Sequence, residues 1–526
     1  MHNRFGILLR VLVWAVILGV PVFGVAEEFP PVRLHPQNPR VFEFRGKPLV
    51  FITATEHYGA VMNRPFDFER YLADAAEKRM TLTRLFVLFR ELQTPINPYS
   101  TCKPESTDYV APYPRTGPGL ASDRLLKFDL DRWNPEFFDR LHRFLGAASR
   151  HAVVVEVTLF SNTYNPEIWA LNPLNPANHI NGTETIQPSE YLSMRHPLLL
   201  ARQQAFARKI VTECNRYDNV LFEICNEPSA KLGAAEPGKH ENPDGAEMDR
   251  WQTEIARIVR EVEAALPNRH LISGTTAYTA PAILTEGLSL TDAFKSFPVD
   301  VVNVHTYSKT TFAGTTFDIG DFMTGQSRLA GLRDLFLATG GEHKPLNLDE
   351  DNAASRFTDV TGWTVHRKRA WTTVLSGGHY DMIDFTIQNR LETGTVEAQQ
   401  NIRAWMKHLS EFVHSLDLVR ARPARGLVRQ TPPQTVASAL AVPGEDYAVY
   451  LADGREAGES GLGEAIHEDS VLSLPPGRWR VSFFDPQTGR SSDGPTVDGG
   501  DARVQLPEFR HDITIRIRRQ PSSSGR

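Results

Sequence analysis

The sequence predicts an α/β architecture: a (β/α)8 TIM barrel followed by a small C-terminal antiparallel β-sandwich. Three observations lead there. From about Arg40 to Glu411, eight short apolar runs alternate with amphipathic helical patterns. After about Arg420 the period switches to two, with Gly/Pro turns between the runs. The Gly-rich first turn that marks an open doubly wound sheet is missing. The 526 residues are 41% hydrophobic and carry a net charge of −6, enough for a large core without a basic excess for nucleic acid.

Residues 1–26 read as a signal peptide. Arg4 and Arg10 precede an apolar run over 11–20, and Gly24 and Ala26 suit cleavage before Glu27. The uncharged stretch after Arg10 has 16 residues, fewer than the roughly 20 of a spanning helix. The expectation is an exported protein (secreted or periplasmic) with no stable membrane insertion after cleavage. Residues 27–418 form the expected barrel with an N-terminal hairpin, 419–520 the sandwich, and Ser-rich 521–526 a disordered tail.

The eight runs that read as buried parallel strands are 49–53, 83–88, 153–160, 220–225, 270–273, 301–305, 345–348 and 381–384. Helical patterns cover 68–78, 137–149, 197–216, 247–265, 328–338, 366–375 and 398–412. Asn134-Pro135-Glu136 supplies a cap, a proline and an acid ahead of the second of these. Two long connections, 91–132 and 161–194, follow strands and belong on the C-terminal face of the barrel, where function concentrates. In the tail region, Tyr447/Val449/Leu451, Trp479/Val481/Phe483 and Ile513/Ile515/Ile517 alternate, with turns expected at Pro475-Pro476-Gly477 and 485–489. The Arg-rich run 419–429 reads as a solvated seam between the domains.

Several chemistries lack their residues. Cys102, Cys214 and Cys225 include no CxxC pair, and there is no HExxH, GxSxG, P-loop or GxGxxG. No metal and no cofactor are expected. The informative segment is Asn219-Val-Leu-Phe-Glu-Ile-Cys-Asn226-Glu227-Pro228, an apolar strand ending in an amide and a carboxylate. A second acid closes Lys344-Pro-Leu-Asn-Leu-Asp349-Glu350. Two carboxylates on separate barrel strands face each other across a bound sugar, and glycoside hydrolysis needs such a pair.

Here the chain resembles the retaining glycoside hydrolases of clan A, and family 5 with its cellulase-like relatives most. The resemblance rests on Asn226-Glu227-Pro228 after strand four and Glu350 after strand seven. Arg84 in Thr-Leu-Thr-Arg-Leu-Phe-Val and His305 and Tyr307 in Val-Asn-Val-His-Thr-Tyr add to it, as does the opening Phe44-Arg-Gly-Lys-Pro-Leu-Val. It spans roughly residues 40 to 415. It implies a retaining O-glycosidase acting on a polysaccharide or oligosaccharide, with Glu227 as acid/base and Glu350 as nucleophile. Arg84 and Tyr307 would donate hydrogen bonds to Glu350, Asn226 would bind the sugar 2-hydroxyl, and His305 would hydrogen-bond near Glu227. The chain departs from the family at strand three, which ends in Ser161-Asn162 without a histidine, and at strand eight, where Asp384-Phe385 replaces the usual Trp. Phe385, Tyr164 or Trp169 would then supply the stacking platform, with Tyr99, Tyr109 and Tyr113 as further stacking candidates on the long loops. A catalytically inactive carbohydrate-binding protein on the same scaffold is the alternative.

Overall fold

The computed structural model describes residues 29–56, 59–88, 90, 105–163, 166–229, 245–278, 288–305, 309–320, 325–351 and 358–521. The expected signal peptide, Tyr99, Cys102, Tyr164, Tyr307 and all but the first residue of the expected tail lie outside the described residues.

Eight parallel strands form the barrel: Ile52–Thr55, Leu82–Phe86, Val154–Ser161, Val220–Asn226, Ile272–Gly274, Val301–Val304, Leu346–Leu348 and His379–Ile383. From the second strand to the eighth, each pairs with its successor, and the eighth pairs with the first. The ring closes between the first two, where Thr81 N–H donates to the Ile52 carbonyl at 3.1 Å. Every barrel strand is buried on both faces, hence the near-continuous apolar runs. Alternation persists inside them. In strand three, Val155, Val157 and Leu159 join the main apolar cluster, and Val154 joins a separate cluster with Leu82, Leu221 and Val301. That second cluster is sealed by Phe42 and Phe44 from the hairpin Asn38–Phe44/Lys47–Leu49, with Phe42 stacked on Phe51.

The surrounding helices are Phe68–Glu77, Pro135–Arg150, Pro197–Cys214, Gly245–Glu263, Thr291–Lys295, Leu329–Ala338, Val360–Leu375 and Ile402–Val413. Asn134 caps the second, its side chain accepting from Glu136 N–H at 3.1 Å. The fifth has five residues and gives too short a pattern to read from sequence. Neither long connection is structureless: one carries the hairpin Arg115–Leu120/Leu126–Phe128, the other the helix Pro166–Leu171. Among the described residues, no helix is long and apolar enough to cross a membrane.

The C-terminal sandwich is one hydrogen-bonded antiparallel sheet folded over its own core. Its longest strand, Ser470–Phe484, runs through Pro475-Pro476-Gly477 as a register shift, so the turn expected there is instead a bulge inside one strand. Strand Asp446–Asp453 shows how the two domains meet. Tyr447, Val449 and Leu451 fill the sandwich core, while Ala448, Tyr450 and Ala452 pack into the barrel's apolar cluster. Both faces are therefore dry. In the Arg-rich linker, Arg420 pairs with Glu445, and Arg425 donates to the Leu337 carbonyl of a barrel helix.

Candidate active site

Side chains from strands two and four and from the end of strand seven converge on one guanidinium. Arg84, fully buried, donates from Nε and Nη2 to both oxygens of Glu223 at 2.6–3.0 Å. Its Nη1 donates to Glu350 Oε1 at 2.9 Å, and its Nη2 to Asn226 Oδ1 at 2.9 Å. Asp349 Oδ2 lies 3.5 Å from Nε. Burial alone would depress the Arg84 pKa, but the charges of Asp349, Glu223, Glu350 and Glu156 outweigh it and hold the pKa well above the ordinary value.

Glu227 stands at the end of strand four with a φ of +46°, a left-handed conformation uncommon for a residue with a Cβ. Held by Asn162 Nδ2, which donates to its carbonyl at 3.1 Å, it turns its side chain toward His305, whose Nδ1 lies 3.0 Å from Oε1. Side-chain exposure separates the two acids: 20% for Glu227 against 3% for Glu350. One oxygen of Glu227, one of Glu350 and a ring nitrogen of His305 all lie within 4.8 Å of one another. Glu227 and His305 also line a pocket with Cys225, Pro228, Thr275 and Tyr278.

Below this rim the barrel interior is unusually polar. Asn303 Nδ2 bridges Glu156 Oε1 at 3.0 Å and Asp349 Oδ2 at 2.9 Å, and Thr158 donates to Glu223 at 2.7 Å. Burial first, and then the charge of Glu223, raises the Glu156 pKa from 4.5 to about 7. Burial also raises Asp349 well above the usual carboxylate range. Glu223, His305 and Asp349 also bring donor atoms within 4.8 Å of one another. Because Arg84 is bonded to Glu223 and Glu350, a cation entering either three-residue group would meet a fixed positive charge.

Arg84, Asn226, Glu227, His305 and Glu350 are thus brought together. Trp169 is not. It is 5% exposed, its indole N–H donates to the Ile186 carbonyl at 3.1 Å, and its ring lies 5.1 Å from that of Tyr191, so it packs the loop and offers no free face to a sugar. Tyr109 and Tyr113 are likewise buried, the first donating to the Leu88 carbonyl and the second stacked on Trp133. Sequence reasoning missed Glu156 and Glu223 as members of the network. The signal was present, since each is a lone acid inside an apolar run that must face the barrel interior.

Comparison with known proteins agrees with this geometry. Residues 121–373 match the family model Cellulase (glycosyl hydrolase family 5). A solved glycoside hydrolase superposes with a TM-score of 0.59 at 10% identity, covering 94% of this chain and 98% of its own. A glycoside hydrolase family 5 protein from Bacteroides vulgatus gives 0.59 at 11% identity, covering 94% of each chain. At such identities the two structures carry the fold, barrel and appended sandwich together. No curated protein sequence matches the chain. The chain is a glycosidase built on a (β/α)8 barrel, with a carbohydrate as substrate. Within that class its residues 121–373 are similar to glycoside hydrolase family 5, in agreement with the clan A resemblance.

Proposed function

We propose that this glycosidase is a retaining O-glycoside hydrolase that cleaves a polysaccharide or oligosaccharide by double displacement. The observation carrying the proposal is the Glu227/Glu350 pair, with oxygens within 4.8 Å. Carboxyl groups about 5–5.5 Å apart suit a retaining enzyme, and an inverting one needs about 6.5–9.5 Å to admit water. Glu350, held by Arg84, attacks the anomeric carbon while Glu227 gives its proton to the departing oxygen. Glu227 then takes a proton from water as the water displaces Glu350 and releases the sugar with its configuration retained. Asn226 is assigned to the sugar 2-hydroxyl, His305 orients Glu227, and Tyr307, by the family resemblance alone, is assigned as a second donor to Glu350. Tyr164 remains the proposed loop platform. An inactive binding protein is not favoured, because binding alone has no use for two acids this close. Export through residues 1–26 is part of the proposal, and a mature N-terminus near Glu27 in protein from a secreting host tests it.

The deciding experiment screens 4-nitrophenyl β-glycosides and polysaccharides, then compares two variants. Glu350→Ala abolishes retaining turnover, and added azide gives an inverted glycosyl azide. Glu227→Ala loses about 10²–10⁴-fold on substrates whose leaving group needs a proton. It still reacts with activated aryl glycosides, and azide there gives the retained product. Near wild-type activity in both variants places the chemistry elsewhere.

A further inference from the structure

Among the described residues the sandwich supplies no acid to the site, yet one of its carboxylates grips the loop ahead of a barrel helix. Glu456 lies just beyond strand Asp446–Asp453 and accepts from Ser327 N–H at 2.6 Å, Ser327 Oγ at 3.1 Å and Arg328 N–H at 2.8 Å. Arg328 has a φ of +40°, and this left-handed turn aims two successive N–H groups at one carboxylate at the start of helix Leu329–Ala338. The Ser327 carbonyl then accepts from Arg369 Nη1 at 2.7 Å, and the Ile319 carbonyl accepts from the same nitrogen at 2.8 Å. Arg369 Nε grips both oxygens of Asp351 at 2.8 and 3.0 Å. Asp351 adjoins Glu350, and its N–H donates to the Asp381 carbonyl on strand eight at 2.7 Å. Arg369 and Asp351 are fully buried. The channel around Arg369 is tight: a Cβ on Gly320, at φ +104°, would meet Nη1 at 3.0 Å.

We propose that Glu456 is a positioning residue for the reaction at Glu350, acting through Ser327, Arg369 and Asp351, so that the sandwich sets the orientation of a barrel carboxylate. The inference rests on Glu350 being the nucleophile. Each link is a charge-assisted or backbone hydrogen bond, and Ser327, Arg369 and Asp351 are buried, so slack at one end is passed on as displacement at the other. Glu456→Gln is the sharp test. Both carboxylate oxygens accept backbone N–H groups, so an amide, whichever way it is turned, sets its NH2 against one of them. The side-chain volume is unchanged, which keeps folding safe.

In the full-length protein, on the aryl glycoside turned over fastest in the panel, Glu456→Gln is expected to lower kcat about ten-fold with KM within roughly two-fold. Glu456→Ala is expected to lower kcat further. Gly320→Ala, which presses on Arg369 from the other side, should lower kcat too. Its combination with Glu456→Gln should lose less than the product of the two single effects, because both act through one guanidinium. A Glu456→Gln protein with wild-type kcat overturns the proposal, as does one whose thermal stability alone falls. Glu350→Ala is measured alongside. If it is inactive while Glu456→Gln is unaffected, only the relay is wrong; if it stays active, the assignment of Glu350 and the relay fall together.

Discussion

Two arginines at the same end of the barrel are both buried to the point of contact with no solvent, and their surroundings are opposite. Arg84 is outnumbered: Glu223, Glu350 and Asp349 all lie within 3.5 Å, and Glu156 acts on it from strand three. Arg369 is matched, with one carboxylate and two carbonyls. Asp351 shows the result. Burial works to raise its pKa, but Arg369 and then His366 more than offset this and hold it far below the carboxylate range. Around Arg84 the reverse holds: burial pushes Glu156 and Asp349 up, and one guanidinium shared among so many acids does not bring them back down. A structural network settles its charges in pairs. The candidate site keeps an excess of acid over base, a feature that clusters at functional sites.

The largest effect expected from this contrast is at Arg84. Arg84→Met leaves three buried carboxylates without their cation and should lower stability by about 5 kcal/mol as well as abolish turnover. Denaturant melts and activity assays read both, and a stable, active Arg84→Met protein would break the contrast. The matched side should behave differently. Arg367, on the same helix as Arg369, makes a bidentate pair with Asp512 of the sandwich at 2.8 and 2.9 Å. Asp512→Ala should cost about 3 kcal/mol by stranding Arg367, whereas Arg367→Met combined with Asp512→Leu should come close to wild-type stability. If the double variant is as unstable as the single, the pair has a further role.

The smallest effect is a dependence on pH. The native protein holds the Glu156 proton more tightly than the unfolded chain, with a pKa of about 7 against 4.5. Stability attributable to this group is therefore complete at low pH and lost as pH rises through that window. Glu156→Gln should melt like wild type at the acid end and become the more stable protein near about pH 8. A difference that shrinks with rising pH would mean that Glu156 is ionised in the fold.

Much of this was legible in the sequence, and for physical reasons. A barrel strand is dry on both faces, so it appears as an apolar run, and all eight runs fall on barrel strands. Arg84, Asn226, Glu227, His305 and Glu350 sit at the ends of such runs, where geometry delivers them to one rim. What local pattern cannot convey is burial imposed from a distance. His366-Arg367-Lys368-Arg369 has the composition of a solvated helix face, yet all four are buried: His366 faces Tyr380 of strand eight, and the sandwich and the loop after strand six cover the other three. Trp169 misleads in the same way, since an aromatic in an Asn/Pro-rich loop has the look of an exposed platform until Tyr191 and Ile186 are seen to enclose it. The bulge at Pro475-Pro476-Gly477 shows a third limit, because turn-forming residues also serve to bend a single long strand.

The cations on helix Val360–Leu375 also impose an order of events on the growing chain. Arg367 must wait for Asp512, a partner 145 positions later, and Lys368 for the Asp453 carbonyl, 85 positions later. When a ribosome has released the eighth barrel strand and the ring can close, this helix still carries two charges with nothing to meet them. Leaving them in water keeps that side of the barrel open; burying them early would cost several kcal/mol per ion. The helix can pack on the barrel through Trp363, Ala370 and Val374 beforehand, but the face that carries Arg367 and Lys368 becomes dry only once the sandwich supplies their partners.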